Sequence, residues 1–111
     1  MAYDEELADR VRRLLATEAG LTEVPMFGGL AFLLDGNMSV AVSSRGGLLV
    51  RVGRDAVDEA LARPHASLAK MGRRSMKGWI LVAPAGLERK DQLAAWTRRG
   101  VELARTLPPK P

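Results

Sequence analysis

The run from Met26 to Val52 constrains the fold more than any other part of the chain. It reads MFGGLAFLLDGNMSVAVSSRGGLLVRV, in which short clusters rich in Gly, Asn, Asp and Ser separate three apolar stretches. Apolar stretches bounded by such clusters are typical of β-strands joined by tight turns. The run therefore predicts three strands of an antiparallel meander, at about residues 26–34, 38–43 and 48–52.

Glycine and aspartate mark the irregular points of this meander. Gly28 and Gly29 fall inside the first predicted strand, where glycine usually marks a bulge or the close approach of another backbone. We expect a structural bulge, because neither the Lys-Ser/Thr pair nor the helix of a phosphate-binding P-loop follows. Asp35 and Gly36 predict a hairpin turn, because both residue types tolerate a positive φ.

The second predicted strand has two different faces. Apolar side chains at 38, 40 and 42 alternate with small ones at 39, 41 and 43. Because side chains alternate across a strand, the apolar set predicts the core face. The small set predicts a face that accepts a packed helix or a second subunit.

Three helices are predicted around the strands. The first begins at an N-cap, Asp4, presents one apolar stripe and ends at Gly20. A short helix runs from Asp55 to Ala62, and a long one covers about residues 89–107. Gly100 in the long helix indicates close packing against the sheet or a partner, because glycine in a helix interior costs about 1 kcal/mol relative to alanine.

The rest of the chain completes the predicted fold. Residues 65–77 are polar and predict irregular structure, whereas Trp79–Ala83 predicts a fourth strand. The order α-β-β-β-α-β-α predicts an α+β fold, in which a four-stranded antiparallel sheet packs with helices. We expect one domain over residues 1–111, with a proline-rich tail at 107–111, since a chain of this length forms a single core.

Composition excludes several classes of protein. The absence of cysteine excludes disulfide-stapled scaffolds and thiolate metal sites. Acidic residues follow the first three residues, in place of the basic and then apolar stretch of a secretory signal. No apolar run approaches the roughly 20 residues of a membrane span. We therefore expect a cytoplasmic protein with no membrane association.

The net charge of +4 is concentrated in one part of the chain. Residues 45–77 contain eight basic and three acidic residues, and the remainder contains nine and ten. The positive electrostatic field of such a cluster suits phosphate or an acidic partner. The alternative explanation of the charge is an ordinary solvated surface. The cations of segment 70–77 lie beside Trp79, which either belongs to the core or stacks on a base. Candidate contacts for a partner or nucleic acid are Lys70, Arg73, Arg74, Lys77, Arg51 and Arg54.

The sequence gives little sign of catalysis. His65, the single histidine, has no acid at motif spacing, and a histidine needs a positioned partner to act as a base. The serines have no triad context, and most carboxylates cluster at predicted helix starts, where the helix dipole accounts for them. We expect no enzyme, no catalytic residue, no metal site and no cofactor.

Five segments resemble the TfoX/Sxy N-terminal domain family. They are MFGGLAF at 26–32, GNM at 36–38, LVRVG at 49–53, MGRRSMKGWILV at 71–82 and WTRRGVELARTLPPK at 96–110. They cover nearly the whole chain in the expected order. The residues of the family motif, to which we assign a structural role, are Met26, Phe27, Gly28, Gly29, Phe32, Gly36, Met76, Lys77, Gly78 and Trp79.

The resemblance implies an α+β domain that is not an enzyme. Relatives act in the regulation of bacterial natural competence, and full-length regulators carry a second, C-terminal domain and act as transcriptional co-activators with a partner factor. The 111 residues do not include that second domain. We therefore expect a regulatory protein–protein interaction domain, whose partner is a transcription factor or a second copy of the chain in a homodimer. Nucleic-acid binding through residues 70–77 is the alternative.

Overall fold

The fold is a six-stranded antiparallel sheet with helices packed on one face. The computed structural model describes residues 3–110. The strands are ordered β1-β2-β3-β4-β6-β5, and each pairs antiparallel with its neighbours. The elements are α1 (Glu5–Leu14), β1 (Leu21–Met26), β2 (Gly29–Leu34), β3 (Asn37–Val42), β4 (Leu48–Arg51), α2 (Val57–Leu61), β5 (Ala66–Met71), β6 (Arg74–Val82) and α3 (Lys90–Arg105), with short 3-10 turns at Arg54–Ala56 and Pro84–Gly86.

The α+β class is confirmed, but the predicted count of four strands is wrong. The predicted first strand, 26–34, is the end of one strand and the whole of the next, joined by a turn instead of a bulge. Met26 pairs with Gly29, and the two residues between them have positive φ, 51° at Phe27 and 78° at Gly28. Positive φ at both central positions defines a type I′ hairpin turn, whose twist matches that of the flanking strands.

The segment predicted to be irregular forms a second unpredicted hairpin. Its edge strand, β5, pairs with β6, which begins at Arg74 and not at Trp79. The sequence is polar there because much of the hairpin lies at the sheet edge and is exposed, so its strands need no continuous apolar side. Gly72, with a φ of 64°, is the first residue of the turn.

The three helices lie where the sequence predicts them, but the first ends earlier than predicted. Asp4 caps α1, since its Oδ1 accepts a hydrogen bond from the Leu7 amide at 3.1 Å. Helix α1 ends at Leu14 and not at Gly20, which lies just before β1. The proline-rich tail packs on the β2–β3 turn, where Asn37 Nδ2 donates to the Pro108 carbonyl at 2.9 Å. Within residues 3–110, no helix is long and apolar enough to cross a membrane.

The core lies between the helices and one face of the sheet. Phe32, Val40, Val50 and Ile80, from four neighbouring strands, are fully buried there with Val11 of α1. These positions alternate along each strand with residues that face the other side of the sheet. The helices therefore cover one face and leave the opposite face to the strands and turns.

The close packing predicted at Gly100 is confirmed. A Cβ at this position would lie 2.7 Å from Val40 Cγ1 and would also meet the Ser39 carbonyl oxygen. The neighbouring irregularity in β3 corrects the predicted faces of that strand. Phe32 pairs with Val40 but Leu33 pairs with Met38, so Ser39 is an extra residue and Met38 turns away from the core face.

Candidate partner-binding groove

The sheet face that carries no helix forms an apolar groove. Its volume is about 290 Å³, and every residue that lines it belongs to a strand or to a turn between strands. We call it the methionine groove. Its lining residues are Met26, Phe27, Gly29, Met38, Ala41, Val42, Ser43, Ser44, Arg45, Leu49, Lys70, Met71, Gly72, Met76 and Trp79.

Two hairpins form the walls of the groove. One wall is the β1–β2 turn around Phe27. The other is the β5–β6 hairpin, which extends beyond the end of β4, because Arg51 of β4 pairs with Trp79 and the hairpin tip lies at residues 71–74. Since residues 70–72 and 76 line the same groove as Phe27, this hairpin bends over the helix-free face.

Four of the five methionines of the chain lie in this groove. Methionine side chains are flexible and polarizable, and they are common at surfaces that adapt to more than one partner. Two lining apolar side chains are substantially exposed, Phe27 at 74% and Met71 at 46%. Large apolar groups that remain accessible along one groove are typical of an interaction site.

Phe27 combines this exposure with an unfavourable backbone. Its φ of 51° lies in the left-handed region, which is rare for bulky residues. Occupying this region costs an L-residue roughly 1–2 kcal/mol. At 74% exposure the phenyl ring recovers little of that free energy by burial. Backbone strain of this kind is concentrated at functional sites, which makes Phe27 a candidate functional residue.

The floor of the groove contains a buried tryptophan beside an arginine. Trp79 is 8% exposed, so of the two possibilities raised by the sequence burial is the one observed, although the ring lies on the helix-free face and outside the core between helices and sheet. The guanidinium carbon of Arg51 lies 6.0 Å from the centroid of the Trp79 ring, within the range of a cation–π interaction. Because the ring is buried, it offers no exposed face on which a base could stack.

The rim of the groove is positively charged. Arg45 and Lys70 line it, and neither forms an ion pair with any residue from 3 to 110. The same holds for the exposed Arg73, Arg74 and Lys77 of the β5–β6 hairpin. No carboxylate of the described chain lines the groove. The field at its entrance is therefore positive and uncompensated.

The predicted partner contacts separate into three locations. Lys70 lines the groove, and Arg73, Arg74 and Lys77 lie on the adjoining hairpin. Arg51 does not line the groove but lies beside Trp79, and its guanidinium donates a hydrogen bond to the Met38 carbonyl at 3.4 Å. Arg54 begins a 3-10 turn outside the groove.

The family-motif residues separate in the same way. Those that the fold brings together in the groove are Met26, Phe27, Gly29, Met76 and Trp79. Phe32 is buried in the core on the other face, and Gly36, at a φ of 84°, forms the β2–β3 turn. Gly78, at a φ of 86°, accepts hydrogen bonds from the amides of Val52 and Gly53 and so anchors β6 beyond the end of β4.

Sequence reasoning missed several residues of the groove. The apolar ones are Met38 and Met71 with Ala41 and Leu49, and the charged one is Arg45. The signal that could have found two of them is methionine clustering, since Met38 and Met71 lie inside the motif segments GNM and MGRRSMKGWILV. Ala41, Leu49 and Arg45 carry no comparable signal in the sequence.

A second, more open cavity of about 800 Å³ lies between α3 and the α2–β5 connection, lined partly by His65 and Arg99. Glu59 of α2 neutralises the nearby cations, accepting hydrogen bonds from Arg99 at 2.6 Å and from Arg63 at 3.0 Å. These bonds, Arg99 first, lower the pKa of the Glu59 carboxyl to about 2. His65 is exposed and donates no hydrogen bond to a carboxylate of residues 3–110. Nor does that part of the chain contain three or more acidic or histidine side chains grouped as metal ligands.

Comparison with known proteins identifies the family. Searches among curated proteins and among solved structures gave no match. The chain matches the TfoX N-terminal domain family over residues 13–104, which includes both hairpins, all six strands and most of α3. This match extends over far more than half of the 111 residues, and the chain therefore belongs to the TfoX N-terminal domain family.

Proposed function

We propose that this chain is a non-enzymatic, cytoplasmic regulatory domain that binds a partner protein through the methionine groove. The observation that carries the proposal is Phe27, which is strained, bulky and 74% exposed at the mouth of an apolar groove. A partner that buried the ring would supply the apolar contacts that the isolated fold lacks.

The chemistry of the groove supports protein binding over catalysis. The described residues that line it include no histidine and no carboxylate, and therefore no side chain of the types most often used as a general base. Its apolar floor and flexible methionines suit the burial of side chains from a partner. The role of transcriptional co-activators in the family makes a transcription factor the first candidate partner, and a second copy of the chain the next.

Photo-crosslinking in cells of the source organism tests the proposal. A benzoylphenylalanine replaces Phe27 in one variant and, as a matched control, Leu14 in another. Leu14 is also an exposed apolar residue, at 41%, but it lies on α1. We expect a discrete protein adduct from position 27 and none from position 14. Adding Met71→Glu should abolish the adduct, because the carboxylate would be desolvated in the contact.

Either of two results would contradict the proposal. One is the absence of any adduct at position 27 in cells that accumulate the folded protein. The other is the same adduct at both positions, which would indicate random collision. An adduct whose mass is twice that of the chain would identify the partner as a second copy, and sedimentation at high micromolar concentration would then detect a dimer that Met71→Glu disrupts.

Nucleic-acid binding is the second candidate, and the exposed hairpin cations favour it. Lys70, Arg73, Arg74 and Lys77 are all exposed on one hairpin without ion pairs among the described residues. Burial of Trp79 argues against it, since single-strand binding relies on aromatic stacking.

Anisotropy of labelled duplex DNA, single-stranded DNA and RNA at two salt concentrations tests this candidate. If the protein binds through the hairpin, the logarithm of the binding constant should fall linearly with the logarithm of the salt concentration. The slope should be roughly −0.9 for each phosphate contacted on duplex DNA. Binding through the hairpin also predicts loss of binding in the triple variant Arg73→Glu, Arg74→Glu, Lys77→Glu. Undiminished binding by that variant would exclude the hairpin as the contact.

A further inference from the structure

We propose that the methionine groove binds a short, extended segment of the partner in which apolar side chains are flanked by carboxylates. This inference rests on the proposed function and adds the chemistry of the occupant. Three observations carry it: an uncompensated positive rim, an apolar floor, and a volume suited to a few side chains rather than a folded surface.

The charges around the groove select for an acidic occupant. Arg45 and Lys70 are exposed and line the groove, and Arg51 lies outside the lining beside Trp79. The described carboxylates that form ion pairs do so with cations elsewhere, at Arg12, Arg63, Arg89, Arg99 and Arg105. The groove cations therefore have no neutralising partner among the described residues, and a complementary negative segment would supply one and accelerate encounter.

The floor requires that the occupant also be apolar. The same groove is lined by Met26, Met38, Met71 and Met76 and by Ala41 and Leu49. A purely polar anion, such as a sugar–phosphate backbone, would leave Phe27 and Met71 exposed and their apolar surface unburied. Apolar side chains placed between carboxylates satisfy both the floor and the rim.

The dimensions favour a short segment. A volume of about 290 Å³ lies at the lower end of the range of small-ligand pockets, roughly 300–1,000 Å³. The groove thus accommodates a few consecutive side chains of one segment.

Defined peptides test the inference with the full chain. The first labelled peptide has about ten residues and alternates leucine or phenylalanine with aspartate or glutamate. A second replaces each acid by lysine, a third replaces each apolar residue by serine, and a single-stranded oligonucleotide is the fourth probe. Fluorescence anisotropy at two salt concentrations should give at least a tenfold lower Kd for the first peptide than for the second or third, equivalent to about 1.4 kcal/mol.

Matched variants locate the binding. Each of the single charge reversals Arg45→Glu and Lys70→Glu should weaken the first peptide about tenfold, and Phe27→Ser should weaken it by a similar factor. Arg98→Glu, on the exposed side of α3, makes a charge reversal of the same kind away from the groove and should leave the affinity unchanged. Circular dichroism checks that each variant is folded.

The outcomes separate this inference from the proposed function. Equal affinity for the acidic and lysine peptides would overturn the acidic occupant, while a crosslink at position 27 would still support partner binding. The inference would also be overturned if the oligonucleotide bound tightly, if Phe27→Ser did not weaken that binding, and if the protein showed no preference among the peptides. That result would favour binding through the hairpin cations. If Arg98→Glu weakened binding of the first peptide as much as the groove variants do, net charge alone would explain the effect, and the inference would be overturned as well.

Discussion

Gly100 lets α3 approach the sheet more closely than any other residue would allow. Gly100→Ala gains about 1 kcal/mol of helix propensity, but the new methyl would lie 2.7 Å from Val40 Cγ1 and against the Ser39 carbonyl oxygen. Overpacking costs about 1–3 kcal/mol, and contact with a backbone oxygen places the cost in the upper part of that range. After the gain in propensity is subtracted, we expect the free energy of unfolding to fall by about 1–2 kcal/mol. Urea denaturation measures it.

A glycine–alanine exchange elsewhere in α3 is the control. Ala95 is exposed on the same helix, and Ala95→Gly should lower the free energy of unfolding by about 1 kcal/mol through propensity alone. Gly100→Ala and Ala95→Gly are therefore reverse substitutions, yet both should lower the free energy of unfolding. A Gly100→Ala variant as stable as the parent protein would refute close packing at this point.

Thr97 carries a hydroxyl that the fold does not use. It is 2% exposed, and its Oγ1 has no hydrogen-bond partner within residues 3–110. Thr97→Val keeps the shape and removes the unsatisfied group, so the free energy of unfolding should rise by about 1 kcal/mol. Thr106→Val is the matched control, because the Thr106 hydroxyl donates to the Leu103 carbonyl at 2.6 Å. The hypothesis fails if both substitutions change thermal stability alike.

Glu59 makes stability depend on pH in the acid range. Hydrogen bonds from Arg99 and then Arg63 lower the pKa of its carboxyl from 4.5 to about 2 in the folded protein. A depressed folded pKa contributes stability above the unfolded value, and this contribution is lost as the pH falls towards 2. Because the carboxylate is exposed, solvent screens the effect and it is small.

Comparison with Glu59→Gln over a pH series tests this. The difference in Tm between the parent and Glu59→Gln should be largest above pH 4.5 and should vanish near pH 2. A difference that stays constant across that range would show that the ion pairs with Arg99 and Arg63 do not stabilise the fold.

At the scale of elements, the sequence predicts the strands that have continuous apolar character. Strands β2, β3 and β4 and the second half of β6 are such runs, and their turn at Asp35-Gly36 has both φ values positive. The edge strands β1 and β5 were missed because one side of each is unpaired and largely exposed, so apolar and polar residues are mixed along them.

The β1–β2 turn was missed because its first central residue is a phenylalanine. Type I′ turns favour asparagine and glycine at their centre, and Phe27-Gly28 has glycine in the second position alone. Turn propensity therefore predicts a bulge within one long strand at this point. In the structure, the same conflict between a bulky side chain and a positive φ identifies Phe27 as an unusual residue.

Phe27→Asn tests whether this mismatch serves binding. Asparagine tolerates the left-handed region, so the variant should be more stable than the parent by about 1 kcal/mol, because little apolar contact is lost. It should also bind the acidic peptide at least tenfold more weakly. Thermal denaturation and anisotropy measure the two effects. Reduced stability would contradict the assignment of strain to Phe27.

The groove itself could be predicted from the sequence in part. The motif segments contain its methionines, and the basic residues of segment 45–77 supply its rim. What the sequence does not encode locally is the bend of the β5–β6 hairpin, which brings Met71 and Met76 opposite Phe27. That bend depends on long-range pairing of β6 with both β4 and β5.

The whole molecule has two unlike sides. Three helices cover one face of the sheet and enclose the core, and their ion pairs neutralise much of the charge there. The other face has no helix, holds four methionines, and is bordered by cations that form no ion pairs among the described residues. The side that stabilises the fold is thus distinct from the side available to a partner.

Methyl NMR of the methionines tests the central claim, that a partner binds in the groove, most directly. The protein is labelled at the methionine and leucine methyl groups and titrated with the partner recovered from the crosslink at position 27. The account predicts that the resonances of Met26, Met38, Met71 and Met76 shift together while those of Leu14 on α1 stay in place. Shifts confined to the helical side, with the four methionine resonances unmoved, would contradict it.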